Sequence, residues 1–207
     1  MIDARRIEEA GLNALQTQRQ LFYDGWILRV SPGKAKRARS VNPHFGSTLP
    51  LDDKIAHCER VYGERELPTL FRITPFVQPG NLDEALVRRG YRPFETSLVQ
   101  AVELVGGALP PHDEAGVALI EPSIDAFVDA VAALRGLPPG QREAHRERLS
   151  HSPLDGRHVL ALVDGEPVAA GKSAREGDVV GVFDVVTAPH ARGRGILQAL
   201  HPGGDPP

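Results

Sequence analysis

The 207 residues carry 24 basic and 27 acidic side chains for a formal charge of -3, and 41% of them are apolar. That near balance supplies no strong field to recruit nucleic acid or an anionic membrane, and the apolar share suits one large domain or two small ones. One cysteine, Cys58, excludes an internal disulfide and a cysteine-rich zinc site, while no export signal opens the chain and no run nears the roughly 18 apolar residues of a membrane span.

A cytoplasmic protein with a small, mostly uncharged partner is therefore expected. Along the chain, Ile7, Ala10, Leu12, Leu15 and Leu21 fall near helical spacing and predict a first helix within Ile2 to Leu21. Trp26 to Val30 reads as a strand, Ser31 to Lys34 as a turn, and Arg37 to Val41 as the returning strand of a hairpin. Leu51, Ile55, Cys58, Val61 and Tyr62 recur at three- and four-residue steps, which predicts a helix over Leu51 to Arg65 with Asp52 and Asp53 in its first turn. Pro68 to Thr74 reads as a buried strand. Asn81 is placed to cap a helix from Leu82 to Arg89, with Gly90 ending it, and Thr96 to Leu104 reads as a further strand.

Gly106 to Gly116 mixes Gly, Pro and charge without an apolar period, so the chain is divided into a first half at 1–106, a linker at 107–116 and a second half at 117–207. In the second half, Val117 to Ile120 predicts a short strand and Ile124, Phe127, Val128, Val131 and Leu134 a helix. Gln141 to Ser150 predicts a solvated helix. Three strands follow, at His158 to Val163, Pro167 to Ala174 and Val179 to Thr187, the first two joined by an Asp164-Gly165 turn.

The chemistry is concentrated at the end of the last strand. Val179 to Thr187 runs through Ala188-Pro-His-Ala191 into Arg192-Gly-Arg-Gly-Ile-Leu-Gln-Ala-Leu200, a buried strand feeding a glycine-rich turn and a helix start. Glycines let such a backbone approach a ligand closely, and the N–H groups of a first helical turn suit a pyrophosphate. The run resembles the acyl-coenzyme A motif of the GCN5-related N-acetyltransferases, in which Gln or Arg, two residues, Gly, one residue and Gly or Ala follow the central strand. Arg192, Gly193, Arg194, Gly195 and Ile196 match in order, and Leu197 stands where the family prefers Gly or Ala.

The resemblance implies that Val185, Val186 and Thr187 offer backbone groups to a pantetheine arm, while Arg192 and residues 193 to 197 hold the pyrophosphate of acetyl-coenzyme A. The first half also looks like that fold: Leu86-Val-Arg-Arg-Gly-Tyr91 matches its Leu-x-x-x-Gly-[Tyr/Phe] closing element, although no glycine-rich turn lies there. The expected architecture is thus an α/β protein with a mixed sheet, acyl-coenzyme A N-acyltransferase-like, built of two related halves. The first would be a degenerate copy and the second incomplete, because His201 to Pro207 would stop a helix that has barely begun.

Amine attack on a thioester needs a proton acceptor, and Asp184, on the central strand beside the coenzyme segment, is the candidate, with Glu121 and Asp125 behind it. A strand acid paired with solvent or Arg is the blander account of Asp184 and outweighs the catalytic one. His145, His151 and the other histidines lack metal-ligand spacing and read as surface residues, so no metal is expected. His190 adjoins the turn as an ordinary loop histidine, and Cys58 sits on an apolar stripe as a core residue. The activity implied is acetyl transfer from acetyl-coenzyme A to a primary amine. The rival is an inactive remnant that binds acyl-coenzyme A weakly or serves as an interaction module, with a homodimer as one way to fill its half-built cleft.

Overall fold

The computed structural model describes residues 3–15, 17, 19–31, 35–104 and 116–196. The chain folds as two compact units, Met1–Glu8 with Leu15–Val102 and Glu9–Ala14 with Glu103–Pro207. Of the 107–116 linker expectation only Gly116 lies within the described residues, and the 201–207 tail lies outside them. No helix among the described residues is long and apolar enough to cross a membrane.

The first unit is built on a three-stranded antiparallel sheet, β1 (Gln20–Tyr23), β2 (Trp26–Arg29) and β3 (Val41–Pro43), in that spatial order. Leu21 belongs to β1, because helix α1 (Ala4–Asn13) ends eight residues earlier, so the expected first helix stops short. The hairpin turns at Asp24-Gly25, with φ of 41° and 83° pairing Tyr23 with Trp26, the left-handed pair that matches strand twist. The expected strand over Arg37 to Val41 is instead a 3-10 turn, Lys36–Ala38, with β3 following it.

Trp26, Leu28 and Val41 face one way and pack on Ile55, Cys58 and Tyr62 of α2 (Leu51–Gly63) and on Leu82 and Leu86 of α3 (Leu82–Arg88). Asn81 stands at the N-cap of α3 but makes no side-chain cap bond, and Gly90 leaves the helix at φ 85°. Pro68 to Thr74 forms no strand. A single parallel bridge, Val41 with Phe71, is all it contributes. Thr96 to Leu104 likewise lies outside any helix or strand, with Leu98 and Val102 exposed, since no strand pairs with it among the described residues.

The Asp24 turn is closely held. Its carboxylate accepts from the backbone N–H of Thr48 (3.0 Å) and Leu49 (2.9 Å) and pairs at 3.3 Å with Lys54, which is wholly buried over the Trp26 ring. These backbone hydrogen bonds hold the Asp24 carboxyl well below the usual range. A Cβ on Gly25 would stand 2.2 Å from the Gly46 carbonyl oxygen and 2.8 Å from that of Phe45. Gly25→Ala is therefore expected to cost about 3 kcal/mol in urea melts, from the clash and the positive φ together.

The second unit is an antiparallel meander, β4 (Ala118–Ile120), β5 (Asp155–Val163), β6 (Glu166–Glu176) and β7 (Val179–Thr187), in the order β4-β5-β6-β7. Asp164 and Gly165 make the expected two-residue turn, with φ of 52° and 82°. Helix α4 (Ile124–Arg135) is capped by the Ser123 hydroxyl, which accepts from the Ala126 N–H, and ends on left-handed Gly136. Its Phe127, Val128 and Val131 pack against Leu160 and Ala170 of the sheet and Leu149 of α5 (Pro139–Ser150). The mostly charged α5 turns His145 and Leu149 inward, four residues apart on one face.

Candidate functional site

β7 is an edge strand among the described residues, so alternate N–H and C=O groups along it point away from β6. It leads through Ala188 and a 3-10 turn, Pro189–Ala191, into the Arg-Gly-Arg-Gly segment and the first helical residue, Ile196. The alternating sequence has a conformational cause: Gly193 and Gly195 take φ of 75° and 76°, open to glycine at no steric cost. Ile196, 2% exposed, anchors the turn among Ala161, Val168, Ala169, Ala188 and Ala191.

Residues 185–187 and 191–196 together line a concavity of about 480 Å³. The structure thus brings together eight of the nine expected coenzyme residues, and Leu197 lies outside the described residues. Arg192 and Arg194 are exposed, and Arg192 Nε donates to the Thr187 carbonyl at 3.2 Å. The backbone N–H groups of Gly193, Arg194 and Gly195 find no backbone acceptor among the described residues, and the buried Thr187 hydroxyl has no partner there either. Unpaired donors in a glycine-rich turn at a helix start form a seat for an anion, and the volume suits a small-molecule cleft.

Asp184 sits at an irregularity one residue before this cleft. Ala170 pairs with Val186 and Lys172 with Phe183, so Asp184 and Val185 together oppose Gly171, and Asp184 takes φ 54°. That is a β-bulge, which bends a strand and re-aims a side chain. The Asp184 carboxylate meets His145 Nε2 at 3.1 Å, an Arg135 Nη1 at 3.6 Å and Lys172 Nζ at 3.9 Å. Arg135 also donates to the Val185 carbonyl at 3.3 Å, which occupies one backbone group expected to face a pantetheine arm.

The electrostatics of this cluster follow from burial and charge. Burial alone would raise the Asp184 carboxyl, but the His145 hydrogen bond and the charges of His145, Lys172 and Arg135 hold it down to about 2. Burial pushes Lys172 below the ordinary lysine value against the pull of Asp184, and burial likewise lowers His158. The surface reading of His145 is overturned: it is 3% exposed and hydrogen-bonded to Asp184. Its spacing from Leu149 was the available signal, hidden in a segment dominated by charge.

The other candidates stay apart from the cleft. Glu121 pairs with Arg157 at 3.6 Å and Asp125 with Arg146 at 2.6 Å, both as exposed carboxylates. His190 is exposed beside the turn, and Cys58 is buried in the first unit's core, where burial pushes its thiol up to about 12. No group of three or more His, Cys, Asp or Glu suited to a metal ion occurs among the described residues.

No family model matches the sequence, and no curated protein matches it. Among solved structures, a GCN5-related N-acetyltransferase from Kribbella flavida is similar over 96% of this chain and 78% of that chain, with a TM-score of 0.66 and 21% identity. A functionally unknown conserved protein from Staphylococcus epidermidis is similar over 87% of this chain and 77% of that chain, with a TM-score of 0.54 and 12% identity. At these identities the likeness is one of fold, and the fold of this chain is the mixed α/β fold of the Kribbella acetyltransferase.

Proposed function

We propose that the protein is an N-acetyltransferase that binds acetyl-coenzyme A along residues 185–187 and 192–197 and passes the acetyl group to a primary amine. The observation that carries the reading is the cleft itself, an anion seat of unpaired N–H groups continuous with an open strand edge. Gly193, Arg194, Gly195 and Ile196 would hold the pyrophosphate with backbone donors, and Arg192 and Arg194 would add charge. Val186 and Thr187 would face the pantetheine arm, Val185 through its N–H alone because its carbonyl is taken by Arg135. The thioester supplies the activated acetyl group.

Asp184 fits the part of an anchor better than that of a proton acceptor. A carboxyl held near 2 by the His145 hydrogen bond and the charges of Lys172 and Arg135 has little affinity for an amine proton at neutral pH. Its role in this reading is to fix His145 and, with Arg135, the bulge that sets Val185 beside the cleft. The first unit is read as a degenerate copy without a coenzyme turn, the second as the coenzyme-binding half, joined through residues 107–116. The protein is expected to act in the cytoplasm.

The test is release of the coenzyme A thiol from acetyl-coenzyme A in the presence of a panel of primary amines. Amine-dependent thiol release supports the transferase. Coenzyme binding without release from any amine favours the second reading, a binding remnant, which the withheld basicity of Asp184 supports. A homodimer belongs to that second reading.

A further inference from the structure

The second face of the first unit's sheet contradicts the usual composition of a covered sheet face. Since Trp26, Leu28 and Val41 face the α2 core, period-2 alternation sets Arg29, Ser40 and Asn42 on the opposite side, with His44 continuing the series. Phe71 bridges Val41 and packs on that same core, so Arg72 falls on the polar side too. These side chains are hidden: Arg29 is 5% exposed, Ser40 and His44 1%, and Asn42 0%.

Two independent features mark this face. First, among the described residues, Ser40 Oγ, both His44 ring nitrogens, Asn42 Oδ1, Arg37 Nε and Arg72 Nε are buried without a hydrogen-bond partner. Buried polar atoms are nearly always partnered, and each orphan costs about 1–3 kcal/mol. Second, Arg37 and Arg72 gather on one acid. Burial and then the Arg72 charge lower the Arg37 guanidinium, with Glu8 pulling the other way, and burial lowers His44. Glu8 meets Arg72 at 2.6 Å and Arg37 at 4.0 Å, and Arg5 donates to the His44 carbonyl at 2.7 Å, which places these groups together. Two guanidinium groups that share one carboxylate among the described residues have donors left for a further anion.

We propose that this face is a binding site for a small oxyanion, held by Arg37 and Arg72 at its mouth with Ser40 and His44 beneath. The side chains of Arg37 and Arg72 are each 27% exposed, which gives the anion a way in. A hydrogen phosphate fits the chemistry better than a carboxylate. Its oxygens accept from the arginine Nε–H groups, the Ser40 hydroxyl and one N–H of neutral His44, and its own O–H serves Asn42 Oδ1, which an ionised carboxylate has no hydrogen to satisfy. The site lies in the first unit and does not depend on the coenzyme reading of the second.

Calorimetric titration of the full chain with inorganic phosphate tests this, using the wild type and the Arg37→Gln, Arg72→Gln and Arg194→Gln variants, with malonate as the carboxylate arm. The expected result is one site near about 1 mM, weakened about tenfold by Arg37→Gln or Arg72→Gln, retained in Arg194→Gln, and tighter for phosphate than for malonate. No binding up to about 10 mM, or binding indifferent to Arg37→Gln, overturns the proposal. Loss of binding in Arg194→Gln alone assigns the phosphate to the coenzyme turn and overturns it equally. Tighter binding of malonate overturns the phosphate assignment. Arg37, a quarter exposed in a short 3-10 turn, carries the test if Arg72→Gln fails to fold.

Discussion

Gly193→Asp is expected to weaken acetyl-coenzyme A binding by about a hundredfold or more, close to 3 kcal/mol, while shifting the melting temperature by only a few degrees. A side chain at Gly193 meets no atom within 4 Å, so the substitution fits sterically, and Asp is among the residues that tolerate a φ of 75°. What it adds is a negative charge among donors arranged for an anion. Gly193→Asn, of nearly the same shape but neutral, is expected to lose far less. A similar loss in both variants would locate the effect in the backbone and remove the electrostatic argument. Calorimetry on the two variants against the wild type reads the difference.

Asp184→Asn carries a large expected loss of stability, about 3 kcal/mol at pH 7, because it leaves buried Lys172 without its counter-charge and removes the partner of the more exposed Arg135. Asn keeps the left-handed conformation accessible, so the bulge itself survives and the loss reports charge. The pH dependence has a definite sign. The folded carboxyl lies at about 2 and the ordinary value is 3.8, so the folded state holds the proton less tightly than the unfolded chain. The stabilisation is then fully present above about pH 4 and is lost as pH falls towards 2, about 2 kcal/mol in all. Wild type minus Asp184→Asn, measured by denaturant melts across that window, is expected to shrink as pH falls. A constant difference would show that Asp184 is not held down by its neighbours. Asp24 shifts in the same direction and is common to both proteins, so it cancels in the subtraction.

Much of the second unit was legible because its signals are local. The Asp164-Gly165 turn, the helix marked by Ile124 to Leu134 and the run from Val179 to Ile196 each declare themselves within about twenty residues, and the cleft-lining segment is almost contiguous. The Asp184 cluster was not legible. Its members come from α4, α5, β6 and β7, and only folding brings Arg135, His145 and Lys172 within 4 Å of the Asp184 carboxylate.

The first unit was harder for a related reason. Asp24-Gly25 is as clear a turn signal as Asp164-Gly165, but Leu21 falls near helical spacing with Leu15 and drew β1 into the preceding helix. Pro68 to Thr74 and Thr96 to Leu104 have strand-like composition, yet a strand exists by pairing. One segment finds a single bridge and the other finds none among the described residues. The polar face around Ser40 and His44 was invisible for the opposite reason, since alternation alone does not reveal that both faces of a sheet are covered.

The most direct measurement is calorimetric titration of this 207-residue chain with acetyl-coenzyme A. One binding site is expected, with a dissociation constant on the order of 10 to 100 µM, weakened about a hundredfold or more by Gly193→Asp and unaffected by Arg37→Gln. No binding up to about 1 mM, or binding that survives Gly193→Asp unchanged, would contradict it.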